Sequence, residues 1–413
     1  MFEAYIEKSV LYPPFISEKP EENLGLVVVI PAYNEVNVLN TLNDFEANEK
    51  PSVGVEVILV INTGADPDDQ LANQEIAQKV KLWLAEKNRH FWYHVIEVYD
   101  LPKKHAGVGL ARKIGMDEAV RRFEQINQDG LIICYDADAK TSNNYLTALG
   151  DLVEDTTVKS IGIAFEHDVT DAQFDDYHNL GVASYELFLR YYSLSLQFTG
   201  FPYYHHTIGS SMGVRASVYA AQGGMNKRKA GEDFYFLQKL FPLGGFKMVT
   251  STRVYPSGRT SNRVPFGTGK AINGWLDEQK NEYETYDFEM FLFIREFLDK
   301  APELYQMNKQ QIGEWLLTIH PEIRAFCLQN EMVDGMLEAN RQSPNQNRFM
   351  TRFYEYMNGF RMLKLVHFLR DQAFPNVPIR QAVTQLLQAR GKSVENDDVF
   401  ELLRVLKNIE YHN

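Results

Sequence analysis

Short, nearly uncharged apolar runs alternate with helical stretches across residues 25–256, and this alternation restricts the fold more than any other feature. LGLVVVI (24–30), VEVILVI (55–61) and LIICY (131–135) are almost continuously apolar. A strand with one wet face alternates polar and apolar residues, whereas a strand covered by helices on both faces need not. FWYHVIEV (91–98) and SIGIAF (160–165) are further strand candidates, and helical stretches fall near 36–48, 71–87, 108–126 and 142–154. The expected architecture is an open α/β sheet, mixed but mostly parallel, flanked by helices. Ligands of such sheets sit outside the carboxyl ends of the strands. That geometry puts Pro31–Glu35, Asn62–Asp66 and Asp136–Asp138 on one rim.

After about residue 270 the pattern changes. FEMFLFIREFL, IGEWLLTI, FYEYMNGFRMLKLVHFLR, IRQAVTQLLQ and VFELLRVLK carry apolar residues at helical spacing. Pro321, Pro375 and Pro378 mark helix ends or starts, and SPNQNR (343–348) reads as a loop or helix start. The expected division is an N-terminal extension (1–24), an α/β domain (25–269) and a helical C-terminal region (270–413).

Composition removes several classes. The net charge of −13 argues against nonspecific attraction to nucleic acid, which needs a basic surface. Two cysteines far apart, Cys134 and Cys327, support neither a disulfide framework nor a CxxC metal site, which suits a reducing cytoplasm. MFEAYIEKSVLYPPF has early acids and no apolar core of a signal peptide. No uncharged apolar run reaches the roughly 18 residues of a spanning helix. The expectation is a soluble, cytoplasmic protein with no transmembrane segment, and at most peripheral membrane contact.

The chemistry concentrates in a few strings. LIICYDADAK ends an apolar strand in Asp136 and Asp138. The two acids either close the strand in a turn or present two hard oxygens to Mg²⁺ or Mn²⁺, with phosphate oxygens completing the shell. The same spacing recurs at Asp66-Pro67-Asp68, where turn chemistry accounts for it. VVVIPAYNEVNVL (27–39) reads as a strand, a Pro-broken turn and a helix start. Asn34 and Glu35 there either cap the helix or hold a base or ribose edge. Two phosphate-loop readings fail: Arg112 stands where a dinucleotide fingerprint needs its third Gly, and Ala271 where a P-loop needs Ser or Thr.

VVVIPAYNE resembles the opening strand of the family 2 nucleotide-diphospho-sugar glycosyltransferases, which have the GT-A fold. KKHAGVGLARKIGMDEAV (103–120) is similar to that family's Gly-rich, Arg-containing segment, YDADA to its metal motif, and AGEDFYFLQKL (230–240) to its Glu-Asp acceptor-site motif. The resemblance covers about residues 25–265. It implies a GT-A-like fold, a nucleotide-diphospho-sugar donor and an acceptor of unknown kind, whether glycan, lipid-linked or small molecule. Pro31, Ala32, Tyr33 and Glu35 would line the nucleotide pocket. Asp136, Ala137 and Asp138 would lie at the sugar-diphosphate, the two acids holding Mn²⁺ or Mg²⁺. Arg112 would lie near the diphosphate, and Asp233 would be the catalytic base with Glu232 beside it. Many members carry paired acids after the second strand. This chain has Asn62 and Thr63 there, and Asn62 can still hydrogen-bond a base.

The implied reaction is transfer of a sugar to an acceptor hydroxyl, with inversion if displacement is direct. A sugar-1-phosphate nucleotidyltransferase and a non-catalytic sugar-nucleotide-binding protein are the rival readings. Gly231-Glu232-Asp233 has its own plainer reading, a helix start whose acids complement the dipole. YPSGRTSNRVPFGTGK (255–270) places Arg259, Arg263 and Lys270 in a basic loop that either closes over a diphosphate or stays solvated. His205 and His206, read on a strand, face opposite ways, so a metal-ligand role competes with an ordinary buried or surface histidine. YELFLRYYSLSLQF (185–198) is either an acceptor surface or helical core, and Gly209-Ser210-Ser211 is a candidate wall of the acceptor pocket.

Overall fold

A computed structural model describes residues 1–86, 88–261, 263 and 267–412. The chain forms two compact units, one of residues 1–168 and 207–270, the other of residues 169–206 and 271–412.

The first unit is built on an eight-stranded sheet. Its strands are β1 (Leu24–Ala32), β2 (Gly54–Asn62), β3 (Trp92–Val98), β4 (Leu131–Cys134), β5 (Lys140–Thr141), β6 (Ser160–Phe165), β7 (Met212–Arg215) and β8 (Phe246–Tyr255). The order is β3-β2-β1-β4-β7-β6-β8-β5. Pairs β1–β2, β2–β3, β1–β4 and β6–β8 are parallel, while β7 runs antiparallel to both neighbours and β5 antiparallel to β8. This is the GT-A-like arrangement, a mixed and mostly parallel sheet flanked by helices.

All five strands expected from composition form. β5, β7 and β8 carry no comparable apolar run. β5 is two residues long, and β8 has four polar residues in a row, TSTR, with burial at Val249, Thr252 and Val254. The helix Val108–Ile126 packs onto β1 and β2 at close range. A Cβ built on Gly115 would lie 2.4 Å from Val29 Cγ1, so glycine sets the approach of helix to sheet. The N-terminal segment lies along this same helix. Tyr5 Oη donates to Asp117 Oδ1 at 2.7 Å, and the Ile16 amide donates to Glu118 Oε1 at 3.1 Å.

The second unit is helical, with short strands at Glu284–Thr285 and Val377–Pro378. Leu187, Tyr191 and Leu194 of the helix Asp176–Phe198 join Phe291, Ile294, Leu402 and Leu406 in one core. The aromatic run at 185–198 is therefore core at helical spacing, with the Tyr191 hydroxyl donating to the Tyr286 carbonyl at 2.8 Å. Helices begin at Pro321 and directly after Pro378, and Asn345 of SPNQNR caps the helix Gln346–Tyr356. The last helix, Val399–His412, is tied down by charge. Arg190 pairs with Glu186 at 2.9 Å and with Glu410, and Lys407 pairs with Glu186 at 3.2 Å. Both cysteines are buried thiols. Among the described residues no helix is long and apolar enough to cross a membrane.

Candidate active site

Parallel pairing decides where the chemistry sits. β1 lies between β2 and β4 and runs parallel to both, with Ala32 opposite Ile61 and Val29 opposite Cys134. The three chains therefore leave the sheet at the same edge. Pro31 and Ala32 end β1, Asn62 ends β2, and Asp136 follows β4 by one residue after Tyr135, whose amide donates to the Val29 carbonyl at 3.0 Å.

The turn after β1 is locked by the helix that follows β2, Pro67–Glu86. Asn34 takes φ +50°, a left-handed conformation that asparagine tolerates better than most residues. Its amide donates to Asn73 Oδ1 at 2.9 Å, and its side-chain nitrogen donates to Asp69 Oδ1 at 2.7 Å. The Tyr33 hydroxyl donates to Asp69 Oδ2 at 2.5 Å. Asp66 caps that helix by accepting from the amides of Asp68 and Asp69 at 3.0 and 3.3 Å. The Asp66-Pro67-Asp68 string is thus turn chemistry. Asp69 and Asn73 were not singled out in the sequence, although their i,i+4 spacing on one helix face was available there.

Glu35 is 2% exposed, and its partners come from the basic loop. Arg259 pairs with Glu35 and places Nε 2.9 Å from Asp138 Oδ2. Arg263 donates to Glu35 Oε2 at 3.2 Å and to the Tyr33 carbonyl at 2.8 Å. The two arginines thereby tie the turn after β1 to the acid after β4. Residues 262 and 264–266 of the basic stretch lie outside the described residues.

A third arginine joins the other half of the site. Arg112, on the helix Val108–Ile126, is 3% exposed and pairs with both Asp136 and Glu232. Burial opposes its charge, but the carboxylates of Asp136 and Glu232 outweigh that and raise its pKa further. Gly209 leaves room for the guanidinium: a Cβ there would lie 2.4 Å from Arg112 Nη1. Glu232 and Asp233 open the helix Glu232–Leu240 after Gly231, which takes φ +70°. Burial, then the adjacent Glu232 charge, push the Asp233 carboxyl up to about 7, against the opposing pull of Arg112. Ala137 is buried, and its carbonyl accepts from the Thr41 hydroxyl at 2.8 Å, which fixes the backbone between the two rim acids.

Glu35, Asp136, Asp138, Glu232 and Asp233 make five carboxylates against the three guanidiniums of Arg112, Arg259 and Arg263. Fully ionised, this set is short of two positive charges. The donors are hard oxygens, and a divalent ion in a phosphate site takes one or two carboxylates with the rest of its shell from phosphate and water. Asp136 and Asp138 fit that demand. Among the described residues no three His, Cys, Asp or Glu side chains form a preformed cage.

Asn62 is 4% exposed at the end of β2, and among the described residues no hydrogen bond joins it to the other rim side chains. His205 and His206 lie in a loop of the second unit, not on a strand. His206 Nε2 is 2.8 Å from Glu410 Oε1, and burial lowers the His205 pKa to about 4. Both fit the plainer reading of packed or ion-paired histidines.

No family model and no curated protein matches the chain. Among solved structures, the chain is similar to residues 1–349 of S. aureus TarS. Identity is 12%, coverage is 82% of this chain and 92% of that one, and the TM-score is 0.40. The same TarS fragment in complex with UDP-GlcNAc gives 12% identity, 94% and 93% coverage, and a TM-score of 0.39. GalNAc-T7 with UDP, GalNAc and Mn²⁺ gives 14% identity, 62% and 49% coverage, and a TM-score of 0.36. At these values the likeness carries no argument about activity.

Proposed function

We propose that the chain is a metal-dependent glycosyltransferase that moves a sugar from a nucleotide-diphospho-sugar to an acceptor hydroxyl with inversion. One observation carries this reading. The site is two linked halves on one rim, Glu35–Arg259–Asp138 and Asp136–Arg112–Glu232, with Asp233 beside the second. The motif order that resembles family 2 glycosyltransferases supports it.

In this reading the nucleotide lies along Pro31, Ala32, Tyr33 and Asn62, where the Asn34 turn holds the backbone rigid. Arg259 and Arg263 turn from Glu35 and Asp138 toward the diphosphate. Arg112 holds Asp136 and Glu232 in place, and a cation turned toward the diphosphate, as Arg259 and Arg263 are in this reading, is worth a few kcal/mol, about 3, to a developing anion. Asp136 and Asp138 would hold Mn²⁺ or Mg²⁺, which supplies charge neutralisation to the departing diphosphate. Asp233 takes the proton of the acceptor hydroxyl as its oxygen bonds to the anomeric carbon and the carbon–phosphate-oxygen bond breaks. A carboxyl with a pKa near 7 is a stronger base than an ordinary aspartate and still ionises at neutral pH.

A thermal-shift panel of nucleoside diphosphates and their sugars with Mn²⁺ tests the donor half. A bound ligand at a hundredfold excess over Kd adds about 2.7 kcal/mol to apparent stability. Expected is a selective shift for one nucleotide, followed by nucleoside diphosphate release on turnover. No shift with any nucleotide overturns the reading. Pyrophosphate release from a triphosphate assigns the protein to the nucleotidyltransferases, and binding with no turnover on a broad acceptor panel assigns it to sugar-nucleotide-binding proteins.

A further inference from the structure

In a chain of net charge −13, two basic runs meet beside the Glu-Asp motif. Lys103-Lys104-His105 precedes the helix that carries Arg112, and Lys227-Arg228-Lys229 precedes Asp233 by four to six residues. The two segments lie against each other. The His105 ring Nδ1 is 3.2 Å from the Lys227 carbonyl. A Cβ on Gly107 would lie 2.9 Å from Lys229 Cα, and one on Gly109 would lie 2.2 Å from the Arg228 carbonyl oxygen. Those two glycines are what allow the segments to lie against each other.

The loop that carries the second run is fixed rather than loose. Asn226 Nδ2 donates to the Glu232 carbonyl at 2.8 Å, and the Arg228 amide donates to Asn226 Oδ1 at 3.1 Å. The Arg228 guanidinium stacks 3.7 Å over the ring of Tyr235, two residues beyond Asp233. Lys103, Lys104, Lys227, Arg228 and Lys229 are exposed. Among the described residues none of these five forms an ion pair with a carboxylate. The contrast is with Arg112, Arg259 and Arg263, each already paired with acids. Five unpaired cations held together repel one another, and a bound polyanion relieves that repulsion while releasing counterions.

We infer that this surface receives the acceptor, and that the acceptor is polyanionic, bearing phosphate or closely spaced carboxylate groups near the hydroxyl that is glycosylated. The inference rests on the glycosyltransferase reading for the word acceptor, but the anion-binding surface stands on its own geometry. Lysines present point charges suited to phosphate, and Arg228 adds a planar donor fork held over Tyr235.

The test uses fluorescent dextran oligosaccharides in phosphorylated, carboxymethylated and unmodified forms, with vesicles containing phosphatidylglycerol as a fourth arm. Binding is compared between the full chain and the variant Lys103→Gln/Lys104→Gln/Lys227→Gln/Lys229→Gln. A second variant, Arg259→Gln/Arg263→Gln, separates any anion bound at the donor rim. Expected is at least about tenfold preference for a charged dextran over the unmodified one, weakened by salt. The fourfold lysine variant loses that preference and keeps its thermal shift with nucleoside diphosphates, while the arginine variant keeps the preference. Equal binding of both charged forms identifies charge density, and selective binding of one identifies its group. Absence of preference in the full chain, its survival in the lysine variant, or binding to vesicles alone overturns the inference. A nucleotide shift that is absent while the dextran preference persists would remove the donor reading and leave the anion surface in place.

Discussion

At the residue scale the site turns on Asp233. Burial and the Glu232 charge raise its pKa to about 7, so transfer should rise with pH through the neutral range as the carboxyl ionises. Asp233→Asn should keep nucleotide affinity and lose about 10²- to 10⁴-fold in turnover, measured as the split between donor binding and steady-state rate. The same shift has a stability sign. The folded carboxyl binds its proton more tightly than the unfolded one, whose value is near the ordinary 3.8. Its contribution is therefore fully present at low pH and is lost as pH rises through about 7. Urea midpoints at pH 5 and pH 8 should fall less across that window in Asp233→Asn than in the natural chain. Arg112 is a different case, because its role is to compensate two acids at once. Arg112→Gln leaves Glu232 buried without its cation, and breaking such a pair costs about 3–5 kcal/mol in denaturant unfolding.

At the element scale, positions are set by how helices close on strand ends. Gly209→Ala inserts a methyl 2.4 Å from the Arg112 guanidinium, so it should impair turnover through Arg112 and leave the far-ultraviolet circular dichroism unchanged. In the second unit, His206 and Arg190 hold the Glu410 carboxyl down at about 2 against the opposing effect of burial. The stability this gives the last helix is present above the ordinary carboxyl range and is lost as pH falls toward 2. Glu410→Gln should flatten that acid limb in a pH series of thermal melts. The elements themselves were largely legible. β1, β2 and β4 announce themselves because burial on both faces leaves little room for polar residues, and the one acid inside β2, Glu56, is buried against Arg122. β5, β7 and β8 do not, because a two-residue strand has no period, β7 is only four residues long and includes Gly213 and Arg215, and the polar run TSTR interrupts β8. The rim acids were legible for the same reason that β4 was, since two acids ending an apolar run are conspicuous. The i,i+4 spacing of Asp69 and Asn73 was visible, but their contacts with the turn after β1, like the pairing of Arg112 with Glu232, were not, because these depend on which helix meets which strand end.

On the scale of the whole molecule, charge is distributed against the average. A strongly acidic chain gathers three arginines over its rim acids and, among the described residues, five cations without an ion pair beside the Glu-Asp motif, and each group answers a separate negative ligand in the proposed reaction. The rim still lacks two positive charges when its five acids are ionised, and that deficit is the central claim. Chelation should suppress transfer, and Mn²⁺ or Mg²⁺ should restore it. The most direct measurement is an electron paramagnetic resonance titration of Mn²⁺ with and without the nucleoside diphosphate that the protein binds. The expected result is one Mn²⁺ bound per chain, tightened by the nucleotide and lost in Asp136→Asn/Asp138→Asn while the variant stays folded. Mn²⁺ binding that is unchanged in that variant, or unaffected by every nucleotide, would contradict a cation at this rim.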